Sequence, residues 1–128
     1  MKTLQSGLAA CLLFCAGCAQ TQAPDANVAG RKVEIDLTGL DADGLRGPPG
    51  GKVAVSYEFA IPDTADGKAA VRAIDPTVQF APGSRGRIGA TASQCLCIGS
   101  THQKNYRDVL QALAELPYVE RIIECHFE

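Results

Sequence analysis

From Lys52 onward, apolar and polar positions recur with two periods, and each change of period marks a boundary. In Val53 to Ile61, Val53, Val55, Tyr57, Phe59 and Ile61 alternate with Ala54, Ser56, Glu58 and Ala60, which predicts a strand with one buried face. Pro62 ends it, and Asp63 or Thr64 can cap a helix carrying Ala70, Val71 and Ile74. Asp75-Pro76 stops that helix, because a residue before proline avoids the helical region. Thr77 to Ala81 and Gln94 to Ile98 read as further strands, joined by a glycine-punctuated connection. Tyr106, Val109, Leu110, Leu113 and Ala114 then form a single helical stripe, opposite Arg107, Asp108, Gln111 and Glu115. Ser100 or Thr101 is the expected cap of that helix, and Pro117 its end. Val119 to Phe127 is the last strand, with Ile123, Cys125 and Phe127 on one face and Ile122, Glu124 and His126 on the other.

The order strand, helix, strand, strand, helix, strand over residues 52–128 is the split βαβ pattern. The expected fold is α+β: a ferredoxin-like βαββαβ sandwich with an antiparallel sheet and two helices on one face. Right-handed crossovers give the strand order 4-1-3-2. Ahead of it, residues 31–51 hold an extra N-terminal strand, with Val33, Ile35 and Leu37 facing one way, and then the Gly/Pro-rich stretch Gly39 to Gly51, expected as loop.

The first residues belong to a different class. Lys2 precedes an apolar run from Gly7 to Gly17, too short for the roughly 20 residues that span a bilayer. It reads as a signal segment, residues 1–17, followed by a flexible tether over residues 18–30. Cys15-Ala16-Gly17-Cys18 resembles the lipobox of bacterial lipoproteins, with Cys15 where leucine is usual. The resemblance implies lipidation at Cys18 and a place in the bacterial cell envelope. Ala19 after the cysteine implies the outer membrane, facing the periplasm; ordinary cleavage near Ala19, giving a soluble periplasmic protein, is the alternative.

Composition narrows the partners. The chain has net charge -2, and losing Lys2 makes it -3, with no block of like charge, so nucleic acid is not an expected partner. The membrane, through lipid on Cys18, and a protein are. Removing Cys11, Cys15 and Cys18 with the signal and lipid site leaves Cys95, Cys97 and Cys125, an odd number of thiols in an oxidising compartment.

Those thiols carry the first candidate chemistry. If Leu96 and Ile98 face the helices, Cys95 and Cys97 face the open side of the sheet. They would stand there with Glu58, Glu124 and His126. Cys95, Cys97, His126 and Glu58 then form a candidate soft-metal or thiol-redox set, suited to copper(I) or zinc. Burial of the cysteines as small hydrophobes and a disulfide are the other readings. A bridge from Cys95 or Cys97 to Cys125 is opposed by the expected intervening strand. The second candidate is Gly83 to Gly89, where converging amides with Ser84, Arg85 and Arg87 could hold an anion. The helix start at residues 100–104 has the same tendency. Asp41-Ala42-Asp43-Gly44 lacks the later ligands of a calcium loop and reads as an Asx turn. Cys97 with His102 is a remote nucleophile–base pair, with nothing to orient either group.

Three resemblances bear on the domain. Heavy-metal-associated domains and acylphosphatases share the expected topology, but the loop Ile61-Pro62-Asp63-Thr64 carries neither family's motif. Leu113-Ala114-Glu115-Leu116-Pro117-Tyr118-Val119-Glu120-Arg121-Ile122-Ile123-Glu124 resembles the close of subtilisin-type propeptides and their inhibitor relatives, which implies a protease-binding sheet face and C-terminus. The expectation from residues and pattern is a binding or accessory module. A metal or redox role and an inhibitor role are the alternatives, and enzymatic activity is the least favoured.

Overall fold

The computed structural model describes residues 30–126; the signal, Cys18 and most of the tether lie outside them. A helical segment at residues 30–32 leads into β1 (Val33–Glu34), followed by β2 (Leu45–Arg46), β3 (Val53–Ala54) and β4 (Ser56–Pro62). Then come α1 (Ala65–Ile74), β5 (Gln79–Pro82), β6 (Gln94–Ser100), α2 (Tyr106–Glu115) and β7 (Ile122–Cys125). The class is α+β. The main sheet is mixed and has five strands in the order β1-β7-β4-β6-β5. That differs from the four-stranded order expected, because β1 joins the outer edge of β7 in parallel, Val33 beside Ile122. The other pairings are antiparallel. The stretch expected as loop contains β2, which pairs with β3 in a separate ribbon. Val53 therefore belongs to that ribbon and is 59 % exposed, off the buried face of β4.

One apolar cluster explains the layering. Val55, Tyr57, Phe59 and Ile61 from the β4 segment meet Val71 of α1 and Val109, Leu110, Leu113 and Ala114 of α2. Both helices thus cover the same face of the sheet. Ile35 and Leu40 join this cluster, so the segment before β4 packs into the same core. In α1, Thr64 is the cap and its Oγ1 accepts from Gly67 N at 3.1 Å, while Asp75 ends the helix before Pro76.

At α2 the expected cap is displaced. Asn105 occupies the cap position, without a side-chain bond. Thr101 is fully buried instead: its Oγ1 accepts from Val55 N at 2.9 Å and donates to Gly44 O at 2.6 Å. Gly44 is required there, since a Cβ would lie 1.6 Å from Thr101 O and φ is +75°. Nearby, Asp75 is a buried carboxylate with four donors: Thr77 N, Thr77 Oγ1, Tyr57 Oη and Gln103 Nε2, at 2.6–3.3 Å. These bonds tie β4, the turn after α1 and the turn before α2 together.

β7 is shorter than expected and presents its faces the other way round. Ile122 lies in the helix-covered core. Glu124 aligns with Tyr57 on that same side and forms a two-pronged ion pair with Arg46 of β2. Ile123 and Cys125 align with Glu58 and Ser56 on the opposite side.

Candidate functional site

The sheet face turned away from the helices carries Glu58 in register with Ile98 and Ile123, and Ala60 in register with Leu96. This face is covered in part, at Glu58 and Leu96, while Ala60, Ile98 and Ile123 stay half-buried. After β5 the chain turns back at Gly83 and crosses it as a strap, residues 83–90. Gly83, Gly86 and Gly89 all have positive φ, from +58° to +80°, so the turns the sequence implied are made by its glycines. Gly86 passes so close that a Cβ would lie 2.8 Å from Leu96 Cδ1 and 3.0 Å from Glu58 Oε2. Leu96 and Glu58 are each only 2 % exposed as a result. The Glu58 carboxylate accepts from Ile88 N at 2.7 Å. Cys125 lies diagonally across from it on β7, on the same side of the sheet, and burial followed by the neighbouring Glu58 charge pushes the Cys125 thiol up.

The structure separates the candidate metal set. Cys95 and Cys97 are fully buried among Phe59 and Ile61 on the helix side, opposite Glu58, and do not face the second side as expected. Alternation in Gln94 to Ile98 could not decide this, because cysteine, leucine and isoleucine all bury well. Burial, and then the adjacent Cys95, pushes the Cys97 thiol up to about 12. His126 stands exposed beyond the end of β7, its Nε2 3.7 Å from Glu124 Oε1. No group of three or more His, Cys, Asp or Glu among the described residues converges as a metal would require. All three thiols are free, and β4 lies between the strands bearing Cys95, Cys97 and Cys125. Cys97 makes its weak sulfur contact with Cys95 O, while His102 stands exposed, so no nucleophile–base pair forms there.

The loop arginines diverge. Arg87 Nη2 donates to His126 O at 3.1 Å across the strap. Ser84 and Arg85 line a depression of about 510 Å³ with Gly83, Gly89, Thr91 and Ala92. The Arg85 guanidinium has no partner among the described residues, and the amides of Gly89 and Ala92 are likewise unengaged. A guanidinium beside free amides at a glycine turn suits a carboxylate or phosphate oxygen. A second depression of about 290 Å³ lies between Ile88, Gly89 and the turn bearing Tyr118, Glu120 and Arg121. Arg121 is already engaged with Glu34 at 2.8 Å.

The other sequence candidates are absorbed by local structure. Ser100 Oγ accepts from His102 N, and Gln103 Nε2 donates to Ser100 O and Asp75. Asp41 is an Asx turn: Oδ1 accepts from Asp43 N and Leu45 N, and Oδ2 from Lys52 Nζ at 2.8 Å. The association that sequence reasoning missed is Glu58 with Cys125 and the Ile88 amide. Its signal lay in β7, had Ile122 been assigned to the core. Comparison with protein-family models, curated proteins and solved structures finds no significant match to this chain.

Proposed function

We propose that this chain is a lipid-anchored binding module of the bacterial cell envelope, facing the periplasm from the outer membrane and held there through Cys18. Its ligand is an anionic group, a carboxylate or phosphate, taken at Ser84 and Arg85. The frame is a ferredoxin-like unit, β4-α1-β5-β6-α2-β7, with β1 appended at the edge; the antiparallel run β7-β4-β6-β5 with both helices on one face supports it. The observation that carries the binding site is the unpartnered Arg85 guanidinium lining the 510 Å³ depression, while Arg87 is held by His126 O. The burial of Cys95 and Cys97 favours this reading over a metal site, and the strap across the sheet face favours it over a protease-binding face.

Two experiments test it. Titration with inorganic phosphate and with citrate, followed by amide shifts, is expected to give saturable changes at residues 84, 85 and 89–92. Arg85→Ala should abolish them and Arg87→Ala should not; absence of saturable shifts in the parent chain refutes the site. For the anchor, the peptide containing Cys18 from bacterial membranes should carry a diacylglycerol mass that Cys18→Ser removes. A chain recovered unmodified from the soluble periplasmic fraction refutes it.

A further inference from the structure

Residues 83–90 have the build of a lid. Gly83 and Gly89 stand near its ends, with φ of +80° and +77°, and at both the space where a side chain would begin is empty. Ser84, Arg85, Gly86 and Arg87 are exposed, and Ile88 is half-buried. Within the segment Ala90 N donates to Arg85 O at 2.8 Å, so it has a fold of its own. A depression flanks it on each side. Its polar attachments to the sheet are few: Ser84 N to Ala81 O of β5 at the hinge, Arg87 to His126 O, which is exposed, and Ile88 N to Glu58 Oε1, which is buried beneath it; Ala90, its last residue, is buried.

Glu58 is the unexpected residue in this arrangement. Its cross-strand partners on that face, Ile98 and Ile123, are apolar, Ala60 and Ser56 flank it along β4, and Leu96 lies beside it under Gly86. An apolar side chain of the same size would fill the place without the cost of burying a carboxylate. What the carboxylate adds is a charged acceptor for an amide of the strap, a stronger hold than a neutral acceptor gives.

We infer that residues 83–90 form a lid that opens as a unit, latched by Glu58, and that the Arg85 site exists only in the latched form. Glu58 is therefore a positioning residue for that site; this second half rests on the anion reading of Arg85. By linkage, an anion that binds only the latched loop also tightens the latch.

Amide hydrogen exchange on the full chain tests both halves, with Glu58→Leu, Glu58→Gln and the parent compared with and without inorganic phosphate. In Glu58→Leu the bonded amides of Ile88 and Ala90 should exchange about 10- to 100-fold faster, the loss expected for one charge-assisted bond, while the β4–β6 ladder keeps its protection. Glu58→Gln keeps an acceptor oxygen and should fall between Leu and parent, and it carries the test if the Leu variant does not fold. Phosphate should slow exchange at Ile88 in the parent but not in Arg85→Ala, and should bind Glu58→Leu at least about tenfold more weakly. Unchanged exchange at Ile88 in both Glu58 variants, or loss of protection in strap and ladder together, overturns the lid. A lid that opens as described, in a parent chain whose exchange phosphate leaves unaltered, overturns the anion site and its coupling while the latch stands.

Discussion

Replacing Thr101 by valine removes one hydroxyl and leaves the side chain's volume nearly unchanged. That hydroxyl serves two buried backbone groups, the Val55 N–H at 2.9 Å and the Gly44 carbonyl at 2.6 Å, and Thr101 itself is fully buried. Neither group has water within reach when the oxygen is gone. Each orphaned group costs about 1–3 kcal/mol, so Thr101→Val should destabilise by about 2–6 kcal/mol. Against the 5–15 kcal/mol usual for a domain, that is a large fraction. Thr101→Ser keeps both bonds and loses one methyl group, a cost of about 1 kcal/mol. Thr101→Asp discriminates further. At a helix N-cap aspartate is as good as threonine, whereas in this enclosed position it buries an unpaired charge. Urea denaturation of the four chains, followed by far-UV circular dichroism, gives the differences directly. A loss below about 1 kcal/mol for Thr101→Val, the low end of one orphaned group, together with a harmless Thr101→Asp, refutes the argument and returns Thr101 to a capping role.

Other consequences follow from the same structure. In the native chain a thiol reagent should leave Cys95 and Cys97 unmodified, since both are buried and Cys97 is pushed up to about 12; counting thiols before and after denaturation checks this, and rapid native labelling of either refutes it. Gly99→Ala would set a Cβ 2.4 Å from the Tyr57 ring and should cost about 1–3 kcal/mol in denaturant unfolding, partly recovered by pairing it with Tyr57→Leu. Asp41 is lowered from 3.8 to about 2, chiefly by its bond to Lys52 and then by the Leu45 amide, so its contribution to stability is complete above about pH 4 and is lost as pH falls toward 2. Asp41→Asn should flatten the acid limb of a stability–pH curve in that window, and an unchanged slope counts against the Asx turn's role.

Some of this architecture is determined by local sequence alone. The alternation from Val55 to Ile61 makes a strand whichever partners it finds, because every second side chain needs burial. The stripe from Tyr106 to Ala114 can be buried together only on a helix, and Thr64 and Pro76 bracket the helix between them. The glycines of residues 83–89 announce turns for the same local reason: they reach backbone angles that other residues avoid. What the tertiary structure decides is direction. Gln94 to Ile98 offers cysteines on one alternating set and leucine and isoleucine on the other, and Ile122 to Cys125 has an isoleucine on each, so alternation did not fix the inward face, and only packing against α1 and α2 turned Cys95, Cys97 and Ile122 to the core. That choice dispersed the expected metal set and set Glu58 beside Cys125. Glu58 itself reads in sequence as a solvent-facing residue of an alternating strand, and it is buried because a distant loop crosses it. Thr101 reads as a cap and became a buried clamp because Gly44, fifty-seven residues earlier, has no side chain to keep the two backbones apart. Periodicity records how much a segment wants to be buried; which neighbour buries it is settled only when the whole chain has closed.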